Sequence, residues 1–538
     1  MTRRAPIKSD KKAATPKRKA HRASSAQSIA TARDKIHTLD RLADLAAAAR
    51  KRGQSVVLAH GVFDLLHLGH VRHLEAARRE GEILIVTISA DAVVNKGPGR
   101  PVFPESLRAE MLAALSIVDY VGVCRQSGAE HAIDLIKPSI YVKGNEYQAA
   151  ERDVTGRIVT ERQLVERHGG RVVFTDDITF SSSALLNRYF RIYPPDLHKY
   201  LETVRDRGME EQIQSLIDSI KGYRVLFVGD CILDEYQYVE PLGKSAKENI
   251  IATRYLNSEI FCGGVIAAAN HLAGFCKEIG VLTVLGKQDS HEDLIRSNLK
   301  ANVELIPFVR DDAPTTRKRR MVDPGYTRKL FEVCYLNDTP LKSELQAKLD
   351  GWIEKHAADY DVVVVTDFGH GMIAQSTVDA LCRRARFLAV NAQTNSANLG
   401  FNLVTKYPRA DYICIDAPEV RLAVGDRRLE LEKVVTDLLA SRVDCDRFIV
   451  THGSNGCVAY DRAEGVHRIP AFTRTVVDTM GAGDAFLSIT APLVATGQPI
   501  DLVAFVGNAV GAIKVGIVGH RQSVDRAGLI KFITAMLK

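Results

Sequence analysis

Residues 56–91 read VVLAHGVFDLLHLGHVRHLEAARREGEILIVTISAD, and this stretch decides the fold. VVLA is a short, wholly apolar run, the mark of a strand buried on both faces. Gly61 allows a turn. A helix opens at about His70, with apolar residues three to four positions apart, and stops at Gly81. LIVTISAD supplies a second buried strand. Strand, turn, helix and strand make one parallel unit. Working outward, DYVGVC, AIDLI, IYVKG and RVVFTDD continue the alternation, and IHTLDRLADLAAAARKRG precedes it as a helix stopped by Gly53. This unit spans residues 34–190.

A second and larger α/β unit spans residues 218–538. Its strands begin with YRVLFVGD at Tyr223 and continue as DVVVVTDF, FLAVNAQ, YICID and RFIVTHG. Residues 191–217 are polar, carry the Pro194-Pro195 break and read as a linker with one lead-in helix. The predicted fold class is α/β with two domains. The 538 residues suffice for both.

Apolar residues make up 46% and charged residues 25%, which excludes a mostly disordered or collagenous chain. The net charge of +7 sits at one end: Met1–Arg22 holds nine Lys or Arg against one Asp, while the other 516 residues hold 63 basic and 64 acidic side chains. Residues 1–33 therefore read as a disordered basic tail on a neutral body, with no specific nucleic-acid partner. Nine scattered cysteines without a CxxC pair argue against a disulfide framework or structural zinc, and suit a cytoplasmic protein. No apolar run is long enough to span a membrane.

Two stretches carry chemistry. In GVFDLLHLGH, His67 and His70 flank Gly69 at a helix start, where imidazoles and free N–H groups together can bind an anion. In VVDTMGAGDAFLSIT, residues 476–490, Gly481, Ala482 and Gly483 open an apolar helix and permit close approach of a phosphate. Asp484 stands one turn in, placed as a general base for a hydroxyl.

The first stretch resembles the HxGH nucleotidyltransferases, which are Rossmann-like, and more narrowly the adenylyltransferase part of bacterial ADP-heptose synthesis proteins. ISAD (88–91), KGPGRPV (96–102), YVKGNEY (141–147) and SSSALL (181–186) support the resemblance. It implies attack of a sugar phosphate on the α-phosphorus of a nucleoside triphosphate, with release of pyrophosphate. His67, His70, Lys96 and Arg108 would be catalytic. Gly61, Phe63, Asp64, Gly69, Lys143, Ser182 and Ser183 would bind the nucleotide. Asp64 is either a Mg²⁺ ligand or a structural residue. DDITFS (176–181) lacks the arginine of glycerol-phosphate cytidylyltransferases, which favours ATP over CTP.

The second stretch resembles the ribokinase-like (PfkB) sugar kinases, an α/β sandwich family. VGDCILDEY (228–236), FCGGVIAAAN (261–270), TDFGHGM (366–372) and VTHGSNG (450–456) follow suit. The resemblance makes Asp484 the base. Thr451, Gly453, Gly456, Gly481, Ala482 and Gly483 would bind nucleotide, and Asp230, Asp234, Gly263 and Gly264 would bind the sugar. Asp416 and Glu419 would hold Mg²⁺.

Three departures stand out. The family's sugar-binding Asn is Ala267 here. Its N-x-x-E is DAPE at Asp416–Glu419. NAQTNSANLGFN (391–402) replaces an Asp-Pro-Lys segment and is either a different substrate loop or a decayed one.

Together the resemblances imply a bifunctional enzyme that phosphorylates a heptose-7-phosphate-like sugar at O1 and then makes an ADP-sugar. The partners would be a sugar phosphate, ATP and Mg²⁺, with a possible homodimer. Those family proteins carry the kinase first; here the order is reversed, as independently folding units permit. The alternative is a working nucleotidyltransferase whose kinase-like half has a changed substrate or only binds or oligomerises.

Overall fold

A computed structural model describes residues 31–94, 100–145, 157–175, 193–325, 328–396 and 398–538. Lys96, Ser182, Ser183, the DDITFS segment and most of the basic tail lie outside the described residues.

The first domain holds β1 (Ile36–His37), β2 (Val56–Gly61), β3 (Ile83–Ser89), β4 (Tyr120–Cys124), β5 (Ile140–Gly144) and β6 (Arg171–Thr175). They form one parallel sheet in the order β1-β4-β3-β2-β5-β6. The chain steps outward from β2 in one direction and resumes at β5 in the other. The turn after β2 therefore lies at a topological switch point, where α/β sheets place ligands. Val57 and Val86 pack under the helices Leu68–Arg79 and Glu105–Ala113, while Leu58 and Ile85 pack under Leu39–Lys51, Glu130–Ile136 and Arg157–Arg167. Both faces are covered, which is why the strands read as apolar runs without alternation.

The second domain is built on β7 (Arg224–Gly229), β8 (Cys231–Lys244), β9 (Ile251–Gly264), β10 (Glu278–Gln288), β11 (Val303–Pro314), β12 (Arg317–Asp323), β13 (Arg328–Tyr335), β14 (Val362–Asp367), β15 (Leu388–Ala392), β16 (Tyr412–Asp416), β17 (Arg447–Thr451), β18 (Cys457–Asp461) and β19 (Gly465–Ile469). Nine of these form the main sheet, β11-β10-β7-β14-β15-β16-β17-β18-β19. It is parallel from β11 to β17 and antiparallel at β18 and β19. Its switch point falls between β7 and β14.

The other four strands form a separate sheet, β13-β12-β8-β9, which the sequence pattern did not announce. Its two long strands, β8 and β9, bury only part of their length. The burial of β8 fades into an exposed end at Glu240–Lys244, and β9 begins exposed and turns inward only at Phe261. Mixed exposure of this kind gives neither a clean alternation nor an apolar run.

The expected linker is also different. Residues 195–219 form two helices, Pro195–Asp206 and Met209–Ser219, separated by Gly208 at φ +61°. Leu197, Leu201, Val204, Ile213, Leu216 and Ile217 are buried in the same core as Val225 and Phe227 of β7. Helical spacing of those residues ties the segment to the second domain, so it is structure and not spacer.

Candidate functional sites

In the first domain the apolar β2 ends at Gly61, and the chain turns sharply. Phe63 has φ +49°, a left-handed conformation unusual for a bulky residue. A side chain at Gly61 would press on the Phe63 ring at 3.1 Å, so glycine fits the turn closely there. His67 caps the helix Leu68–Arg79: its Nδ1 accepts the Gly69 N–H at 3.1 Å. The cap is why the helix begins ahead of His70. With Nδ1 the acceptor, a neutral His67 carries its proton on Nε2. The His67 and His70 rings stack with centroids 4.0 Å apart, and Phe63 meets the His70 ring edge-on at 5.0 Å. The two imidazoles are thus brought together at a helix N-terminus.

Three expected ligands take other roles. The Arg108 side chain is wholly buried. Nε donates to Phe103 O at 2.9 Å, Nη1 to Val62 O at 2.5 Å, and Nη2 to Ser89 O at 2.9 Å and Asp91 Oδ1 at 2.6 Å. The guanidinium ties three loops together, a structural role beside the catalytic one expected of it. Asp64 is likewise buried. It pairs with Arg100 and accepts the Val102 N–H at 2.6 Å, which supports the structural alternative. It fixes the end of the basic loop that carries Lys96. Lys143 forms an ion pair with buried Glu161 at 3.0 Å and lies over the Tyr141 ring.

Sequence reasoning missed His60. Its Nδ1 meets Thr87 Oγ1 at 2.9 Å and its Nε2 meets Ser89 Oγ at 3.4 Å. Burial, reinforced by the Lys143 charge, pulls its pKa down to about 3, so it stays neutral beside the turn.

In the second domain the expected residues converge on the carboxyl ends of the parallel strands. β7 delivers Asp230, β14 Asp367, β16 Asp416 and β17 Thr451, with Asp416 and Thr451 in register. Gly481, at φ +69°, opens the helix Ala482–Ala495 and packs against the His520 ring. The cap residue Gly481 has no side chain to bond the first N–H groups; the Ala482 N–H donates to Thr479 O at 3.2 Å, and Gly483 adds no bulk beside the turn. The rest of the helix is apolar all round and buried. Burial raises the Asp484 carboxyl to about 6, against the opposing charge of His520.

At the acceptor end, Asp230 accepts the Phe368 N–H at 2.9 Å and the His370 N–H at 3.4 Å. Burial and the neighbouring Asp367 push it up to about 7. Asp234 pairs with Arg320 and lies 3.5 Å from His520 Nε2. Burial alone would raise its pKa, but His520 and Arg320 together hold it low. Gly263 and Gly264 pack against Asp234 and the Asp230 backbone, and Gly264 at φ +55° turns the chain into the helix Val265–Leu272. Ala267 is buried in that helix and offers no polar atom.

The amide-rich run turns out to be a scaffold. Asn395 and Asn398 each donate to Phe368 O at 2.8 Å, and Asn402 donates to Asp367 O at 2.9 Å. Lys406 pairs with Asp367, and the Tyr407 hydroxyl donates to it at 2.7 Å. These bonds hold the Asp367–His370 turn.

His370, Lys318, Arg320 and His520 were missed as site residues. His370 is buried with neither ring nitrogen bonded, and burial lowers it to about 3. Lys318 and Arg320 sit on the buried face of β12. RKRR was visible as a charge run, but without the unforeseen sheet nothing said which face turned inward.

Asp416 and Glu419 form a reciprocal cap on the helix Ala417–Val424. Asp416 Oδ1 accepts the Glu419 N–H at 2.8 Å, and Glu419 Oε2 accepts the Asp416 N–H at 2.9 Å. The D-A-P-E pattern is thus also a capping box. The cap uses one oxygen of each carboxylate. Burial, with the charge of Asp416, raises Glu419, a strain that a divalent cation would relieve. Among the described residues no three His, Cys, Asp or Glu side chains form a cation cage. Thr451, Gly453 and Gly456 turn beside a cleft of about 780 Å³ that His452, Ser454, Asn455, Tyr200 and Arg468 help to line.

Comparison with known proteins agrees with this layout. The pfkB family carbohydrate kinase profile matches residues 224–527, and the cytidylyltransferase-like profile matches residues 58–188. The "Bifunctional protein HldE" of Syntrophotalea carbinolica is 40% identical over 162 residues, 29% of this chain and 32% of that protein. Its namesake in Pelobacter propionicus is 41% identical over 312 residues, 57% of this chain and 63% of that protein. The matched stretches thus span about a third of the first relative and less than two thirds of the second. Among solved structures, ribokinase from Thermotoga maritima aligns over 58% of this chain and 99% of its own, at 19% identity and TM-score 0.45. Phosphofructokinase-2 from Escherichia coli aligns over 59% and 100%, at 13% identity and TM-score 0.48.

Proposed function

The chain belongs to the pfkB family of carbohydrate kinases, and from that premise we propose that it is a bifunctional enzyme which phosphorylates a sugar and then nucleotidylates the product. The observation that carries this reading is the pairing of two unlike phosphate sites in one chain: the His67–His70 turn and the Gly481–Asp484 helix start.

In the kinase half, the acceptor is a heptose-7-phosphate-like sugar. Asp484 takes the proton of its anomeric hydroxyl as the new O–P bond forms, and ADP leaves. A carboxylate held near 6 is ionised at neutral pH yet basic enough to accept that proton. Asp230 and Asp234 bind acceptor hydroxyls, and Lys318 and Arg320 offset their charge. The Gly483 N–H at the helix start receives the transferred phosphate. Thr451, Gly453 and Gly456 border the nucleotide. Asp416 and Glu419 would hold Mg²⁺, which neutralises charge on the phosphates.

In the nucleotidyltransferase half, an oxygen of the sugar 1-phosphate attacks the α-phosphorus of ATP and pyrophosphate leaves. His67 and His70 donate to the oxygens of the pentacovalent phosphorus, and the helix start adds its N–H groups. Gly61, Phe63 and Gly69 shape the turn, while Lys96, Ser182 and Ser183 supply phosphate contacts. CTP is the alternative nucleotide.

The test follows ADP and pyrophosphate release separately, with candidate sugars and sugar 1-phosphates. His70→Ala should lower pyrophosphate release about 100-fold or more and leave ADP release intact. Asp484→Asn should do the reverse by a similar factor. Retention of both activities in both variants would refute the assignments. Ala267 favours a second reading, in which the kinase half takes a different acceptor; ADP release with sugars other than heptose phosphates would select it.

We also propose a homodimer through the four-stranded sheet, whose Leu242, Ile251, Tyr255 and Leu256 are exposed. No described helix is long and apolar enough to cross a membrane, and all nine cysteines are free thiols, in keeping with a cytoplasmic site of action.

A further inference from the structure

The helix Ile500–Lys514 ends on a lysine whose side chain is wholly buried beneath the phosphate-binding turn. Lys514 Nζ donates to Met480 O at 2.6 Å and to Gly519 O at 2.7 Å. Asp478 grips the same two residues from their other ends. Its Oδ1 accepts the Met480 N–H at 3.1 Å and its Oδ2 accepts the Gly519 N–H at 2.9 Å. Met480 and Gly519 are therefore each held by an ammonium at the carbonyl and a carboxylate at the amide. Met480 immediately precedes Gly481, and His520, which follows Gly519, packs against Gly481.

Burying an ammonium is costly unless its protons are bonded and its charge is matched. Here two carbonyls bond it, and the Asp478 and Asp484 charges favour the protonated form. Burial pulls Lys514 down to about 8, which leaves it charged at neutral pH. Carbonyl and carboxylate oxygens from two converging loops are the donor set of a small hard cation. In this chain a covalently attached ammonium takes the two carbonyl oxygens of that set, with the Asp478 charge nearby. The arrangement serves no core packing that an aliphatic residue would not serve better, and it orders the turn proposed to receive phosphate in the second domain.

We infer that Lys514 is a built-in cation that holds the Met480–Gly481 turn in its phosphate-binding geometry, so that the kinase site takes ATP without an added monovalent cation. Lys514 is a positioning residue, and the inference rests on the kinase reading above.

The test is hydrogen exchange of the full chain, read at residues 478–486 with and without ATP, in potassium chloride or choline chloride at equal ionic strength. Wild-type protein should show the same ATP protection in both salts. K514A should need at least about tenfold more ATP for protection in choline chloride, and potassium or ammonium chloride should restore it by entering the vacated space. K514M, which fills that space with an uncharged chain, should weaken binding similarly and resist rescue. ATP protection in the wild type that is tenfold stronger in potassium than in choline would overturn the inference. So would wild-type ATP protection in K514M. If either variant fails to fold, the wild-type comparison still decides. Should no sugar yield ADP in any salt, the kinase reading fails by itself, while salt-independent protection of residues 478–486 still upholds the role of Lys514.

Discussion

Arg108 and Asp484 show what a motif does and does not reveal about a residue. Both were expected to be catalytic. Asp484 sits at a helix start beside small residues, so spacing alone fixes its surroundings. Arg108 occupies a comparable motif position, yet its guanidinium turns inward and meets four oxygens. Sequence names a residue type but not the direction of its side chain. Arg108→Lys should therefore destabilise the first domain by about 2 kcal/mol or more, because an ammonium cannot span the same acceptors. A thermal melt checks this; an unchanged melting point with a raised KM for ATP would return Arg108 to the phosphates. For Asp484 the expectation concerns pH. A base that works ionised loses activity as pH falls below its pKa, so ADP release should decline below about pH 6, tenfold per unit. His520 holds that pKa down. His520→Ala should shift the limb to higher pH, measured as kcat/KM against pH.

Among the elements, the buried parallel strands were legible because both their faces are covered and their residues are uniformly apolar. Turns were legible where glycine marked them, as at Gly61 and, with its positive φ and close His520 ring, at Gly481. The four-stranded sheet was not, since its long strands are core at one end and solvent-facing at the other. Of the two helices of residues 195–219 one was expected, but their packing into the second domain was not, because polar outer faces mask a buried stripe. Missing the sheet meant missing Lys318 and Arg320. The exposed end of that sheet sets Ile251 at 66% exposure and Leu256 at 47%, apolar side chains at a free edge. Ile251→Lys combined with Leu256→Lys should give a monomer where the wild type sediments as a dimer. Unchanged sedimentation would remove the sheet as the dimer contact.

At the scale of the molecule, both sites lie at the carboxyl ends of parallel strands, beside the switch point of each sheet. That placement follows from βαβ alternation and was implicit in the first strands read. The contacts that join the two sheets of the second domain were not. Asp478 grips the phosphate turn, but it also accepts the Tyr236 hydroxyl at 2.8 Å and Lys329 Nζ at 2.8 Å, from β8 and β13. The Met480–Gly481 turn is thereby tethered to two strands of the four-stranded sheet. Water is a smaller and more abundant acceptor than any sugar, and a kinase that opened its phosphate to water would squander fuel. Tyr236→Phe together with Lys329→Met should raise ADP release in the absence of sugar, while the same double variant should gain less from adding one. In the proposed reaction the tether would act as a safeguard, keeping the phosphate turn fixed to the four-stranded sheet until a sugar arrives.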